Sequence, residues 1–392
     1  MSRRLVITNG KVITPEEVLE ADVWIEDGRI LRVGGSPDHW MESEYKLIDA
    51  AGMYVAPGMI EIHCDAIEKE MEPRPNTFFP LEMAMNEMER KLAGNGITTI
   101  YHSISLSDGS GIRGDEQAVN LMNSIDKRRK NSPSMVRHRI HLRYELTNRG
   151  ALPVIESFIR NQKIDLLSFM DHSPGQGQFK SMEGFQEFTK KQYNITDEQA
   201  VTMTKEVLSL KEKVEWEDLR EMAQYAHAEG VSLASHDDDT VEKIDYILND
   251  FPISISEFPI TMEAARHASD KGLYVSVGAP NIVRGFSHSG NMRAIEAVLD
   301  GAAHIICSDY HPSALLPSVA EVRSHGISLP EAWKMVSLYP AEALGIANER
   351  GSLEAGKQAD ILFIDMEGSY PAVRRTVVEG QTVYHAQRSL IG

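Results

Sequence analysis

Cysteine is scarce in this chain: Cys64 and Cys307 are the two thiols among 392 residues. Two thiols give no disulfide framework, and each reads as a small buried apolar residue. No apolar run approaches the length that crosses a bilayer, so no membrane partner is expected. The opening MSRRLVITNGKVIT has two arginines but no long apolar stretch ahead of a small-residue cleavage site. It does not read as a secretory leader, and the cytoplasm is the expected location. Positive charge is also in deficit, with 40 Lys and Arg against 58 Asp and Glu and a formal net charge of −18. Nucleic acids are normally recognised by a basic surface, so that partner class is not expected either. The same charge says little about an anionic small molecule, because the local field of a cleft and its bound ions govern steering. The balance, 42% apolar and 25% charged, is that of an ordinary globular protein.

The two ends of the chain share one character. LVITNGKVIT, ADVWIEDGRILRVGG and YKLIDAAGMYVAPG near the start, and GSLEAGKQADILFID and VRRTVVEGQTVYH near the end, are short β-branched runs punctuated by Gly and Asp-Gly. Residues 1–57 and 346–392 are therefore expected to build one small β-sandwich domain.

The middle, 58–345, alternates apolar strands with amphipathic helices. PLEMAMNEMERKL places Leu81, Ala84, Met85, Met88 and Leu92 on one helical face before the strand ITTIYHSIS. Eight such strands begin at MIEIHCD and continue through RIHLRYEL, DLLSFMDHS, VSLASHDDD, FPISISEFP, GLYVSVGAPN and AAHIICSDYHP. Eight strands with intervening helices predict a (β/α)8 barrel. A doubly wound open sheet is the alternative, but the Gly-rich phosphate turn expected after its first strand is missing. One connection, about 174–215, is long and polar and is expected to form a lid over the barrel mouth.

In such a barrel the C-terminal strand ends carry the chemistry. Taken in order they offer His63 and Asp65, His102, Glu145, Asp171 and His172, His236 with Asp237, Asp238 and Asp239, Glu257, then Asp309 and His311. Any one of these taken alone is more often structural. Their convergence calls for a cation, since buried carboxylates repel one another and are costly to desolvate. Imidazole and carboxylate donors without thiolate suit one or two divalent ions, Zn²⁺ foremost, with Mn²⁺ or Fe²⁺ also compatible.

VAPGMIEIHCDA after a β-rich start, Asp309 after the eighth strand, SLYPAEALGI and the closing GSLEAGKQADILFID together resemble the amidohydrolase superfamily across essentially the whole chain. The chain departs from the usual pattern at three points. The first strand ends His-x-Asp rather than His-x-His, no lysine stands at the third or fourth strand to bridge two metals, and Glu257 replaces a histidine on the sixth strand. With those departures, the resemblance implies metal ligation first by His63, Asp65, Glu145, His236 and Asp309, then by His172, with Asp171 and Glu257 behind them. Glu145, Asp171 or His172 takes the bridging place.

HCDAIEKEMEPRPNTFFP, SFMDHSPGQGQF, SHDDDT, SEFPITMEAA and GAPNIVRGFSHSGN are similar to one branch of that superfamily, active in phosphonate catabolism by the carbon–phosphorus lyase pathway. This similarity implies hydrolysis of a ribosyl 1-methylphosphonate 5-triphosphate to the 5-phosphate and diphosphate. Asp309 is then the expected proton acceptor, and His172 or His311 the proton donor. Arg74, Arg143, Lys180, Arg284, Ser287, His288 and Arg293 are the expected contacts to phosphate. Expected partners are that small molecule, further copies of the chain and other proteins of the pathway. The competing readings are a cyclic-amide hydrolase or deaminase and a non-catalytic scaffold.

Overall fold

The computed structural model describes residues 3–37, 45–108, 111–131, 133–177, 179, 181–193, 195–287, 290–367 and 370–387. Lys180 and His288 lie outside the described residues.

The eight expected strands form one parallel sheet in sequential order: Met59–Cys64, Ile97–Leu106, Arg137–Glu145, Leu166–Met170, Ser232–His236, Ile255–Glu257, Tyr274–Gly278 and Ile305–Cys307. They are called here barrel strands one to eight. Side chains alternate between the lumen and the helix layer. Arg137–Glu145 illustrates this: Ile140, Leu142 and Tyr144 join the large core beneath the helices. His141, Arg143 and Glu145 turn the other way and meet residues of strands five, six and the loop after four. The lower lumen is filled by a separate apolar cluster that includes Ile60, Ile62, Leu166, Ala234, Ile255 and Ile305.

The barrel closes through a seam rather than a full ladder. Low in the seam, the backbone of Met335 and Val336 is wedged between strands eight and one, accepting from Ile306 N (2.9 Å) and Ile60 N (2.9 Å). High in the seam the two strands meet directly, with Asp309 N donating to His63 O (2.9 Å) and Asp65 N donating to Asp309 O (3.1 Å).

Residues from both chain ends build two further sheets. One has four strands, Arg29–Val33, Val23–Glu26, Arg4–Thr8 and Lys46–Asp49. The other has six, Gln381–His385, Ala372–Val378, Ile361–Asp365, Tyr54–Pro57, Lys11–Ile13 and Val18–Glu20. Ile7, Val12, Val23 and Val55 from one end share a core with Ile361, Phe363 and Val377 from the other. Arg137, at the foot of barrel strand three, ties these sheets to the barrel through Asp360 (2.5 and 3.0 Å) and Glu379 (2.8 Å).

The long connection between strands four and five carries two inserted helices, Met182–Tyr193 and Asp197–Lys211, ahead of the helix Trp216–Ala228 that leads into strand five. The second begins with a reciprocal Thr196–Gln199 capping box, which fixes its start. Among the described residues no helix is long and apolar enough to cross a membrane.

Candidate active site

A local irregularity aims the first ligand candidate. Strand alternation would put His63 on the face opposite Ile62, which is in the lumen cluster. However, the pairing with strand two shifts between Glu61 (opposite Ile100) and Cys64 (opposite His102). Two residues, Ile62 and His63, therefore face one, Tyr101, in a β-bulge. Such bulges re-aim a side chain, and here the His63 imidazole enters the lumen beside Ile62.

There it meets Glu257, fully buried at the end of strand six. Glu257 Oε1 lies 2.9 Å from His63 Nδ1, and Oε2 lies 3.5 Å from both His141 Nε2 and His236 Nδ1. Burial holds the His63 and His236 pKa values well below the usual imidazole range, and burial likewise pushes His141 down to about 3 against the pull of Glu257. The imidazoles are thus neutral and keep a lone pair. His236 Nε2 accepts from Arg143 Nη2 at 3.2 Å, since a guanidinium only donates. Burial works against the Glu257 carboxylate, yet His141, His236 and Arg143 outweigh it and lower its pKa.

A second group adjoins the first. Glu145 accepts from both the backbone N (3.0 Å) and Nδ1 (2.7 Å) of His172, while His172 Nε2 lies 3.8 Å from Asp237. Burial disfavours the His172 cation, but the Glu145 charge, its hydrogen bond and the Asp237 charge raise the pKa overall. Both Glu145 oxygens are engaged by one residue, so Glu145 stands behind His172 rather than beside His63.

Asp309 and Asp65 complete the inner wall. Burial, then the neighbouring Asp65 charge, pushes the Asp309 carboxyl up to about 7. Asp65 is held by Arg113 at 3.3 Å, and Arg113 is also bonded to Glu68 at 2.7 Å. Asp237, Phe258 and Asp309, directly beyond three strand ends, have φ of 51°, 53° and 55°. Left-handed backbone is unfavourable for these residues and above all for phenylalanine, and such strain gathers at functional sites. Here it turns the Phe258 ring edge-on to His63 (4.8 Å between centroids) and His236 (5.6 Å).

These side chains open into a cavity of about 530 Å³, whose wall includes His63, Asp65, His236, Asp237 and Asp309. Arg113, Arg143, Arg284 and Ser287 line it as well, together with Phe188 from the inserted helix Met182–Tyr193. Of the expected phosphate contacts, Arg143, Arg284 and Ser287 are thus brought together. Arg74 lies on an exposed loop paired with Thr77 and is not part of this wall. Arg293 is spent on Gly285 O (3.1 Å) and Glu296 (2.9 Å), bracing the loop rather than facing the cavity.

Three strand-end candidates lie elsewhere. Asp171 bonds Lys211 at 3.0 Å and lines a different, more apolar cavity with Phe169, Trp216 and Tyr246. His311 is exposed and bonded to Ser313 Oγ (2.9 Å). His102 faces the helix layer, 2.8 Å from His138, which in turn contacts Glu89 at 2.7 Å. Two residues escaped the sequence reading. Arg113 sits in a short helical turn after strand two with no periodic signal to mark it. Glu61 looked like an ordinary strand residue, yet it is fully buried, accepts from His63 N (2.7 Å) and Ser308 N (2.6 Å), and is pushed up to about 8 by burial.

The residues present suit a divalent ion. Ligand atoms of His63, His236 and Glu257 lie within 4.8 Å of one another, and so do those of His172, His236 and Asp237. Buried His236 Nδ1 and Glu257 Oε2 have no hydrogen-bond partner of their own. Neutral imidazoles with orphaned carboxylate oxygens are what a cation requires and what a purely structural network avoids. Glu257 therefore belongs to the central group, ahead of Glu145.

Comparison with known proteins identifies the family. A profile of the amidohydrolase family matches residues 179–383. The chain is 33% identical over 387 residues to the alpha-D-ribose 1-methylphosphonate 5-triphosphate diphosphatase of Escherichia coli K12, covering 97% of this chain and all of that one. It is 35% identical to an adenine deaminase of Listeria monocytogenes, but over 98 residues, 24% of this chain and 14% of that one. A solved amidohydrolase superposes with a TM-score of 0.66 at 16% identity, covering 98% of this chain and 100% of the other. The chain belongs to the amidohydrolase family.

Proposed function

We propose that this member of the amidohydrolase family hydrolyses alpha-D-ribose 1-methylphosphonate 5-triphosphate, adding water across an anhydride so that diphosphate leaves and the 5-phosphate stays on the sugar. The observation that carries this reading is the cavity wall, where Arg113, Arg143 and Arg284 face the same space as His63 and His236 of the group they form with Glu257. Cleaving a phosphoanhydride needs positive charge on the non-bridging oxygens and a positioned water. The guanidiniums of Arg143 and Arg284 suit a polyphosphate and are surplus to a neutral ring, while Arg113 is already paired with Glu68 and Asp65. The full-length similarity to the E. coli diphosphatase supports the same choice of substrate.

Held by His63, His236 and Glu257, with Asp65, Asp309 and the His172 group adjoining, a divalent ion would activate water and offset phosphate charge. The chain's own residues supply the rest. Arg143, fixed on strand three, and Arg284 bind and orient the phosphates. Asp309, with its carboxyl near neutrality, takes the proton from the attacking water. His172, whose pKa Glu145 raises and which lies 3.8 Å from Asp237 of the cavity wall, is the proton donor to the leaving diphosphate, in preference to His311, whose exposed ring bonds Ser313. Residues 58–345 carry this chemistry, and the terminal sheets brace the barrel foot.

The test is ³¹P NMR of the purified protein with the ribosyl triphosphate and Zn²⁺ or Mn²⁺. Stoichiometric diphosphate is expected. Turnover of a cyclic amide or of adenine, with the triphosphate untouched, would replace this reading by the amide-hydrolase or deaminase one.

A further inference from the structure

We infer that Glu61 is a positioning residue, whose carboxyl group staples the bulge that turns His63 into the lumen and fixes it against Asp309 across the barrel seam. This rests on the reading of His63 as part of the metal centre.

The inference follows from accounting for backbone donors. A β-bulge leaves the extra residue's N–H outside the ladder, and a buried orphan N–H is costly. Along this seam Ile60 N and Ile306 N are satisfied by Val336 O and Met335 O, and Asp309 N by His63 O. His63 N and Ser308 N remain. Both are taken by the one carboxyl group, at 2.7 and 2.6 Å, with Glu61 fully buried. Each oxygen accepts one N–H. The two amides belong to His63 itself and to the residue before Asp309, so the side chain sets the separation of a metal-ligand candidate and the proton acceptor on neighbouring strands. Glu61 touches neither imidazole nor cavity, and its effect runs through the backbone.

Glu61→Gln keeps the shape but turns an amide group towards an N–H, freeing one of the two backbone donors. Loss of a partner that orients a ligand typically weakens metal affinity about 10–100-fold. Zinc affinity by competition with a chelator is expected to fall by that factor, and the absorption spectrum of the Co²⁺-loaded protein to change. Turnover should fall in kcat with KM within about twofold. Arg137→Met, which breaks an ion pair at the opposite end of the barrel, is the control: it lowers Tm and leaves zinc affinity unchanged. Wild-type zinc affinity in Glu61→Gln, or an equal loss in the control at equal Tm, would overturn the inference.

A second measurement needs no variant. Hydrogen exchange of the wild-type amides of His63 and Ser308 is expected to be as slow as that of the barrel ladder, and fast exchange at either would refute the staple. Zinc affinity and amide exchange use no substrate, so failure of the wild type to release diphosphate leaves this inference decided by those two readouts. If the wild type binds no divalent ion, the metal reading falls and amide exchange still decides the staple.

Discussion

Two buried sets of histidine, carboxylate and arginine lie on opposite sides of one barrel wall. Inside are His63, His141, His236, Glu257 and Arg143; outside are His102, His138, Glu89 and Arg128. Their compositions are nearly the same, but the bonding differs. The outer set is a chain, running from His102 to His138 (2.8 Å), to Glu89 (2.7 Å), to Arg128 (2.6 Å), with Arg128 reaching Asn86 at 2.7 Å, and it leaves one atom, His102 Nδ1, without a hydrogen bond. The inner set leaves three atoms without a hydrogen bond, Arg143 Nε, Glu257 Oε2 and His236 Nδ1, the last two only 3.5 Å apart, and it opens on a cavity. A network satisfied but for one atom and packed under the helices stabilises, whereas several orphaned atoms beside a cavity suit a ligand.

Substitutions on the two sides sharpen that contrast. The largest effect is expected for Glu257→Gln: a loss of turnover of about 10³-fold, roughly 4 kcal/mol of transition-state stabilisation. Bound zinc should fall with it, and unchanged metal content would remove Glu257 from the centre. Arg143→Met should lower kcat/KM about 10²-fold with metal retained. A drop in metal content instead would make Arg143 a support for His236 rather than a contact to phosphate.

The outer set should answer in stability alone. Glu89→Gln is expected to cost about 2 kcal/mol in urea unfolding, with turnover at moderate temperature within twofold of wild type. A larger effect on kcat than on stability would erase the distinction between the two sets. The pH dependence follows from the same group. Burial alone would raise the Glu89 pKa, but hydrogen bonds and charges from His138 and Arg128 hold it down to about 2, against 4.5 for the ordinary group. A depressed carboxyl gives stability that is present in full above its unfolded pKa and lost as pH falls through its folded one. Unfolding midpoints should therefore decline between about pH 4.5 and 2, and Glu89→Gln should flatten that decline. The smallest effect is expected for His311→Ala, within about twofold in kcat/KM, because this exposed ring bonds Ser313 outside the cavity.

Much of the barrel was legible from local pattern. Its eight strands alternate or run apolar, the helices between them have amphipathic faces, and the ordered sequence of β and α units leaves few topologies. His63, His236 and Asp309, which share one cavity wall, were picked out the same way, as polar residues at strand ends. Glu257 was placed behind Glu145 because a family pattern expects histidine on the sixth strand, and no sequence signal tells which carboxylate ends up among three imidazoles. Asp171 and His172 are neighbours in sequence, yet one bonds Lys211 in an outer cavity and the other faces Asp237.

The sequence by itself determined the period of each strand, and with it the barrel and the set of residues eligible for its mouth. Only the tertiary structure decided which of them converge, because parity along a strand is fixed by pairing with its neighbour. One bulge between Glu61 and Cys64 is enough to send His63 inward. An unbroken ladder at His102 sends that ring out to the helices.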